Sequence, residues 1–278
     1  MNTLEYTLII WMGSVAAGFL GSLTGLGGGV VIVPMLTLLL NVNIRYAVGA
    51  SLVSVIATSS GAAAAYVKEG FTNIRIAMFL ELATTFGALG GAVLATRAPA
   101  AAIAVVFGIV LLHSAVVSMR APPDRPWEGP PDKWSAFLRL DSGYPGRDGY
   151  VPYRVVNIPA GFSLMFVAGV LSGLLGIGSG AVKVLAMDRA MRVPFKVSTT
   201  TSNFMIGVTA AASAGVYLNR GYIDPGLAMP VMLGVLMGSL IGARILAGAK
   251  TKALRITFAV VILALGAEMI YSGLAGKL

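Results

Sequence analysis

The chain has 278 residues, 57% of them hydrophobic and 11% charged, with a mean hydropathy of +0.85. Soluble domains carry about a quarter of their residues as charges, so the composition points to an all-α polytopic membrane protein and excludes a β-barrel, which would show alternating segments of about ten residues. The formal charge of +9 is scattered between apolar runs, a topology signal rather than a nucleic-acid surface; zero cysteines and a single histidine, His113, exclude disulfides, thiolate sites and a histidine-based metal centre.

Crossing a bilayer takes about 20 apolar residues. Runs of that order are Tyr6–Leu23, Ala47–Val67, Ile74–Thr96, Ala98–Met119, Val155–Leu175, Phe195–Leu218, Leu227–Leu246 and Ile256–Tyr271. The first run has Glu5 but no Lys or Arg ahead of it. It lacks the basic region of a secretory signal and is expected to be retained. After it, Gly25-Leu26-Gly27-Gly28-Gly29 interrupts the helix, since each glycine costs about 1 kcal/mol relative to alanine. The following Val30–Leu40 run is short, and it either re-enters or makes a broken crossing. Residues 1–119 form a first transmembrane repeat and 155–278 a second. The polar segment 120–154, with its Pro122-Pro123 and Gly129-Pro130-Pro131 turns, reads as a cytoplasmic linker.

The two halves repeat one another at a constant offset of 151 positions. Gly18, Gly25, Gly27 and Gly29 fall on Gly169, Gly176, Gly178 and Gly180. Ser51 falls on Ser202, Thr58 on Thr209, Tyr66 on Tyr217, Gly70 on Gly221 and Gly87 on Gly238. Each repeat reads as a glycine-broken hairpin plus three transmembrane helices, which reverses the orientation of the next repeat. With the linker inside, Lys68, Arg75, Arg189, Arg192, Lys196, Lys250, Lys252 and Arg255 join the linker arginines there. Only Arg45, Arg97, Arg220 and Lys277 then fall outside. Two inverted-topology repeats satisfy the positive-inside bias in both halves, and both termini are then outside. Such a duplication with glycine interruptions at matching points marks a transporter and its site.

In lipid, unwound backbone is tolerated only where protein or a water-filled cavity surrounds it. Gly18, Gly21 and Gly25 also suit close helix packing. Gly27, Gly28 and Gly29, and in the second copy Gly178, Ser179 and Gly180, exceed what packing requires. Each loop opens onto the N-terminus of a half-helix, where free N–H groups and the dipole favour an anion. Nucleotide is not implied, because no Gly-Lys-Ser/Thr follows. Lys183 lies three residues past Gly180, where the first repeat has Ile32. A membrane lysine is a candidate for function, with snorkelling or pairing with Asp188 as alternatives. Ser51, Ser202 and Asn203 are candidates to line a polar cavity, within the run Ser198–Asn203 that also suits capping. Glu81 stands in an apolar run as a candidate proton carrier, or else as a structural acceptor or ion-pair partner of Arg244. Glu268 and His113 read as interfacial.

These residues resemble the TauE/SafE sulfite-exporter family of bacterial permeases across essentially the whole chain. The resemblance rests on Gly25-Leu26-Gly27-Gly28-Gly29 followed by Pro34, on Gly176-Ile177-Gly178-Ser179-Gly180 followed by Lys183-Val184, on Thr201-Ser202-Asn203 and on Gly221-Tyr222-Ile223. Ser179 and Leu185 stand where the family normally has glycine and proline. The resemblance implies transport of sulfite, an organosulfonate or a related small anion across the bacterial inner membrane. The expected function is a secondary transporter, not an enzyme, using no cofactor and no metal. A passive anion channel with the glycine loops as filter is the alternative. The partners are the anion and the bilayer; nucleic acid is excluded and the oligomeric state is left open, a homodimer included.

Overall fold

A computed structural model describes residues 2–24, 28–68, 70–119, 129, 132–146, 149–246 and 251–277. The first half comprises α1 (Thr3–Thr24), α2 (Gly29–Pro34) running into a π-turn at Met35–Leu39, α3 (Ile44–Lys68), α4 (Ile74–Arg97) and α5 (Ala100–Met119). Between the halves lie α6 (Lys133–Leu138) and the antiparallel hairpin β1 (Ser142–Gly146) and β2 (Gly149–Tyr153), paired from Ser142–Tyr153 to Gly146–Gly149. The second half is α7 (Ile158–Leu175), α8 (Gly180–Leu185) with a π-turn at Ala186–Ala190, α9 (Phe195–Asn219), α10 (Pro225–Leu246) and α11 (Thr251–Leu274).

Local chemistry sets the breaks. Gly70 and Gly221 turn the chain after α3 and α9 at φ +76° and +72°, a conformation glycine adopts without a Cβ penalty. Asn73 caps α4 by accepting the Ile76 N–H at 3.1 Å. Among the described residues, Ile74–Arg97 and Ile158–Leu175 are each long and apolar enough to cross a membrane. Their outward side chains include Met78, Leu82, Phe86, Leu164 and Phe166, all exposed.

α4 packs along α7, and α1 along α10, at backbone distance. A Cβ at Gly87, Gly91, Gly169 or Gly173 would run into the carbonyl of Phe166, Val170, Thr84 or Ala88. The second seam repeats the device, with Gly18 against Val235 and Gly238 against Val15. Small residues let helices approach closely where lipid supplies no hydrophobic drive between them. α3 lies against α9 and α5 against α11, the latter antiparallel, since Gly273 faces Ala101 and Gly108 faces Gly266. Gly49, early in α3, meets the Tyr222 carbonyl beyond α9; Thr200, early in α9, donates to the Phe71 carbonyl beyond α3 at 3.0 Å. Exchanging the halves leaves this set of packing partners unchanged.

The linker docks on one end of this bundle. Asn73 Nδ2 donates to the Leu140 carbonyl at 3.1 Å and to Tyr153 Oη at 2.7 Å. Asp141 Oδ1 accepts from Ser135 Oγ at 2.6 Å and from the Val155 N–H at 2.8 Å. Burial pushes the Tyr153 hydroxyl up to about 12. Leu140, Tyr153, Ile76, Leu80, Met187 and Met191 share a buried apolar cluster, so the linker end has its own core.

Candidate functional site

The second glycine loop is built from left-handed residues. Gly176 closes α7 at φ +69°, Gly178 follows at φ +70° and Ser179 at φ +45° starts α8. Ser179 Oγ donates to the Ala168 carbonyl at 2.6 Å, which anchors a non-glycine residue in that conformation. A π-turn follows each half-helix at the same place, although Pro34 is matched by Leu185. Proline is therefore not what opens the helix there.

The start of α2 meets the second loop inside the bundle. A Cβ on Gly29 would lie 2.5 Å from Ser51 Oγ and 3.1 Å from the Gly176 carbonyl oxygen. Ser51 Oγ itself donates to that oxygen at 2.7 Å, and Ser202 Oγ donates to the Gly180 carbonyl at 3.3 Å. Both serines are buried and both bind loop carbonyls; Asn203 is half-buried. Gly28, in ordinary helical conformation, precedes α2, while Gly27 and Gly25 lie outside the described residues. Val55 and Ile206, which occupy equivalent positions in the repeats, both approach Gly178. A cavity of about 10 Å³ is bordered by Val30, Ser114, Ser179, Gly180 and Val182, roughly the room one water needs.

Beside it lies the chemistry. Lys183, in the first turn of α8, has no exposed surface and its Nζ donates to Thr209 Oγ1 at 2.5 Å. Thr209, on α9, donates in turn to Glu81 Oε1 at 2.7 Å, and Thr85 donates to the same oxygen at 3.3 Å. Thr84 Oγ1 stands 3.5 Å from Thr209. Glu81 is 9% exposed, and its Oε2 is buried without a hydrogen-bond partner. Glu81 and Lys183 are thus joined through one hydroxyl across α4, α9 and α8. The side chain of Arg244, considered as an ion-pair partner of Glu81, lies outside the described residues. The ammonium turns inward to Thr209 rather than outward; Asp188 forms an ion pair with Arg189 at 3.8 Å.

The other sequence candidates divide by position. Ser198 and Thr199 bond to the Val193 and Phe195 carbonyls, and Thr200 to that of Phe71; Thr201 accepts from the Asn73 N–H. That part of the run caps and ties helices. Glu268 is exposed and accepts from Ser272, and His113 is exposed. Thr209 is the residue the sequence leaves unassigned. It is visible there only as the repeat partner of Thr58, and its link to Glu81 spans 128 positions.

Apolar helices of spanning length around a buried, hydroxyl-bridged acid–base pair are the make-up of a membrane transport protein. The chain belongs to the sulfite exporter TauE/SafE family, whose model matches residues 10–269. It is 27% identical to the probable membrane transporter protein YunE of Bacillus subtilis over 278 residues, covering 98% of this chain and 99% of that one. It is 24% identical to the probable membrane transporter protein YdhB of the same organism, covering 85% and 87%. With the probable membrane transporter protein MJ0441 of Methanocaldococcus jannaschii it shares 25% identity, covering 95% and 94%. No solved structure matches the chain.

Proposed function

We propose that this protein is a secondary transporter of the bacterial inner membrane for a small sulfur-containing anion, sulfite or an organosulfonate. The observation that carries the reading is the fully buried Lys183 in the first turn after the second glycine loop. An anion stripped of water needs compensating charge and donors. Lys183 and the leading N–H groups of the two half-helices would supply the charge and donors, and Ser51 and Ser202, whose hydroxyls hold the Gly176 and Gly180 carbonyls, would turn to the anion as it enters. Asn203 stands next to Ser202 on the same helix, and Gly27 to Gly29 with Gly178 to Gly180 supply the backbone.

Two inverted repeats fit the packing. Helices that would be equivalent, α3 with α9 and α5 with α11, cross antiparallel, as an axis in the membrane plane demands. The linker then faces the cytoplasm, both termini lie outside and the chain crosses the membrane many times. Val55 and Ile206 set apolar side chains against Gly178, and Val55 also against Gly29, an arrangement that favours alternating access over a standing pore.

Counterflow of labelled sulfite and methanesulfonate in proteoliposomes tests this, together with melting of the purified protein. A ligand at 100 times its Kd stabilises by about 2.7 kcal/mol. If sulfite, sulfonates and other oxyanions all leave melting and flux unaltered, the reading fails. Unitary currents without saturable counterflow would assign a channel instead.

A further inference from the structure

We propose that Lys183, Thr209 and Glu81 form a proton–anion coupling site, in which Glu81 takes up one proton for each negative charge that Lys183 receives. This rests on the anion-transport reading above and names its coupling ion.

The arrangement is a neutral pair held through a third group. Lys183 Nζ donates to Thr209, and Thr209 donates to Glu81 Oε1. Lys183 and Thr209 are wholly buried and Glu81 is 9% exposed, so neither charge can be balanced by bulk water. Glu81 Oε2 has no partner, which leaves a free position for a proton while Oε1 keeps its hydrogen bonds. Among the described residues, α5, packed on α8, carries His113, which is exposed, and the π-turn after α8 carries Asp188 and Arg189, which pair with each other at 3.8 Å. α7, packed on α4, carries no ionisable side chain. On α9 the ionisable groups sit near its ends: Lys196 lies 5.1 Å over the Phe71 ring and Tyr217 donates to the Gly173 carbonyl. On α4 itself Arg75, near the start, bonds the Arg139 carbonyl, and Arg97 ends the helix. The equivalent positions in the other half are Ile32, Thr58 and Met232. One hydroxyl is kept in both halves, whereas the acid and the base occur only once.

A proton arriving on Oε2 removes the countercharge of Lys183. The ammonium is then an uncompensated cation beside the Ser179–Gly180 loop, and a monoanion restores neutrality. Departure of the anion makes the buried ammonium expel the proton from Glu81 and rebuilds the pair. Completed uptake and completed release each leave the site neutral, so one monoanion crosses with one proton and no net charge moves.

Methanesulfonate serves as probe, because it stays a monoanion at every pH used and carries no proton of its own. In proteoliposomes an inward gradient of one pH unit should concentrate it about tenfold, the ratio that a one-proton, one-anion cycle allows. Pyranine inside the vesicles should report matching acidification. A potential imposed with valinomycin and potassium should leave the uptake rate unchanged. Glu81→Gln keeps the Thr209 acceptor but binds no proton; it should still catalyse methanesulfonate exchange while its accumulation ratio falls to about one. Accumulation by Glu81→Gln equal to that of the parent overturns the coupling. So does potential-driven, pH-independent uptake by the unaltered protein, a measurement that needs no variant to fold. Lack of exchange in the parent sinks the transporter reading itself, and the coupling with it.

Discussion

Replacing Thr209 by valine is the sharpest perturbation of the buried pair, because it preserves shape and removes only the bridging hydroxyl. Two bonds disappear, one from Lys183 at 2.5 Å and one to Glu81 at 2.7 Å. Each has a charged partner and is worth about 1.5–3 kcal/mol. Their joint loss strands both charges in an interior where breaking a buried pair costs about 3–5 kcal/mol. At about 2–4 °C per kcal/mol for chains of this order, the melting temperature of the purified protein should fall by roughly 6–20 °C. Thr209→Ser retains the hydroxyl and should melt close to the parent. In a Glu81→Leu, Lys183→Met background, where neither bonding partner remains, the valine substitution should cost under about 1 kcal/mol. A Thr209→Val protein melting within about 2 °C of Thr209→Ser would refute the bridge.

The α4–α7 seam gives a paired test: Gly91→Ala drives a Cβ into the Val170 carbonyl and should destabilise by about 1–3 kcal/mol. Gly90→Ala meets open space and should be neutral or stabilise by up to about 1 kcal/mol in the same melt. At the second loop, Ser179→Gly loses one hydrogen bond but relieves a left-handed backbone, whereas Ser179→Ala loses the bond and keeps the strain; the alanine variant should be the less stable. Tyr153 is held neutral by burial, with its hydroxyl raised from 10.0 to about 12. The stability it contributes is therefore complete below about pH 10 and is lost as pH rises towards 12. The melting temperature should fall across that window, and the fall should be smaller in Tyr153→Phe.

The helices and their order were legible because apolar runs, glycine breaks and the 151-residue repeat are properties of one stretch of chain. Gly18 was legible as a packing glycine for the same reason, and it does lie against Val235. The Ser198–Thr201 run could be read either way, since a hydroxyl at a helix start serves a cap and a cavity equally well; the contacts with Phe71 and Asn73 decide it. The bridge between Glu81 and Lys183 could not be read at all. It depends on which faces of α4, α8 and α9 converge, and a threonine in an apolar helix carries no signal of its own until its neighbours are known. Nor did the hairpin announce itself: Tyr144-Pro145-Gly146 and Tyr150-Val151-Pro152 contain prolines that depress strand propensity, and only an isolated two-stranded ribbon tolerates them.

That hairpin leaves the protein with two dissimilar ends. Where the linker docks, the halves are stitched by Thr200 to Phe71 and by Asn73 to Thr201, and Asn73 is itself clamped by Leu140 and Tyr153. At the far end the corresponding meeting is an aromatic one, Tyr46 edge-on to Tyr222 at 5.6 Å with Arg45 above the same ring. Rings slide past one another with little loss, while a stitched seam must release several directed bonds together. A machine of two equal halves would divide its dwell time evenly between its two openings. Under the alternating-access reading proposed above, the ribbon would bias the clock: the aromatic end is expected to part first and stay parted longer, and exchange of like for like in oriented proteoliposomes should then show different affinities on the two sides of the membrane.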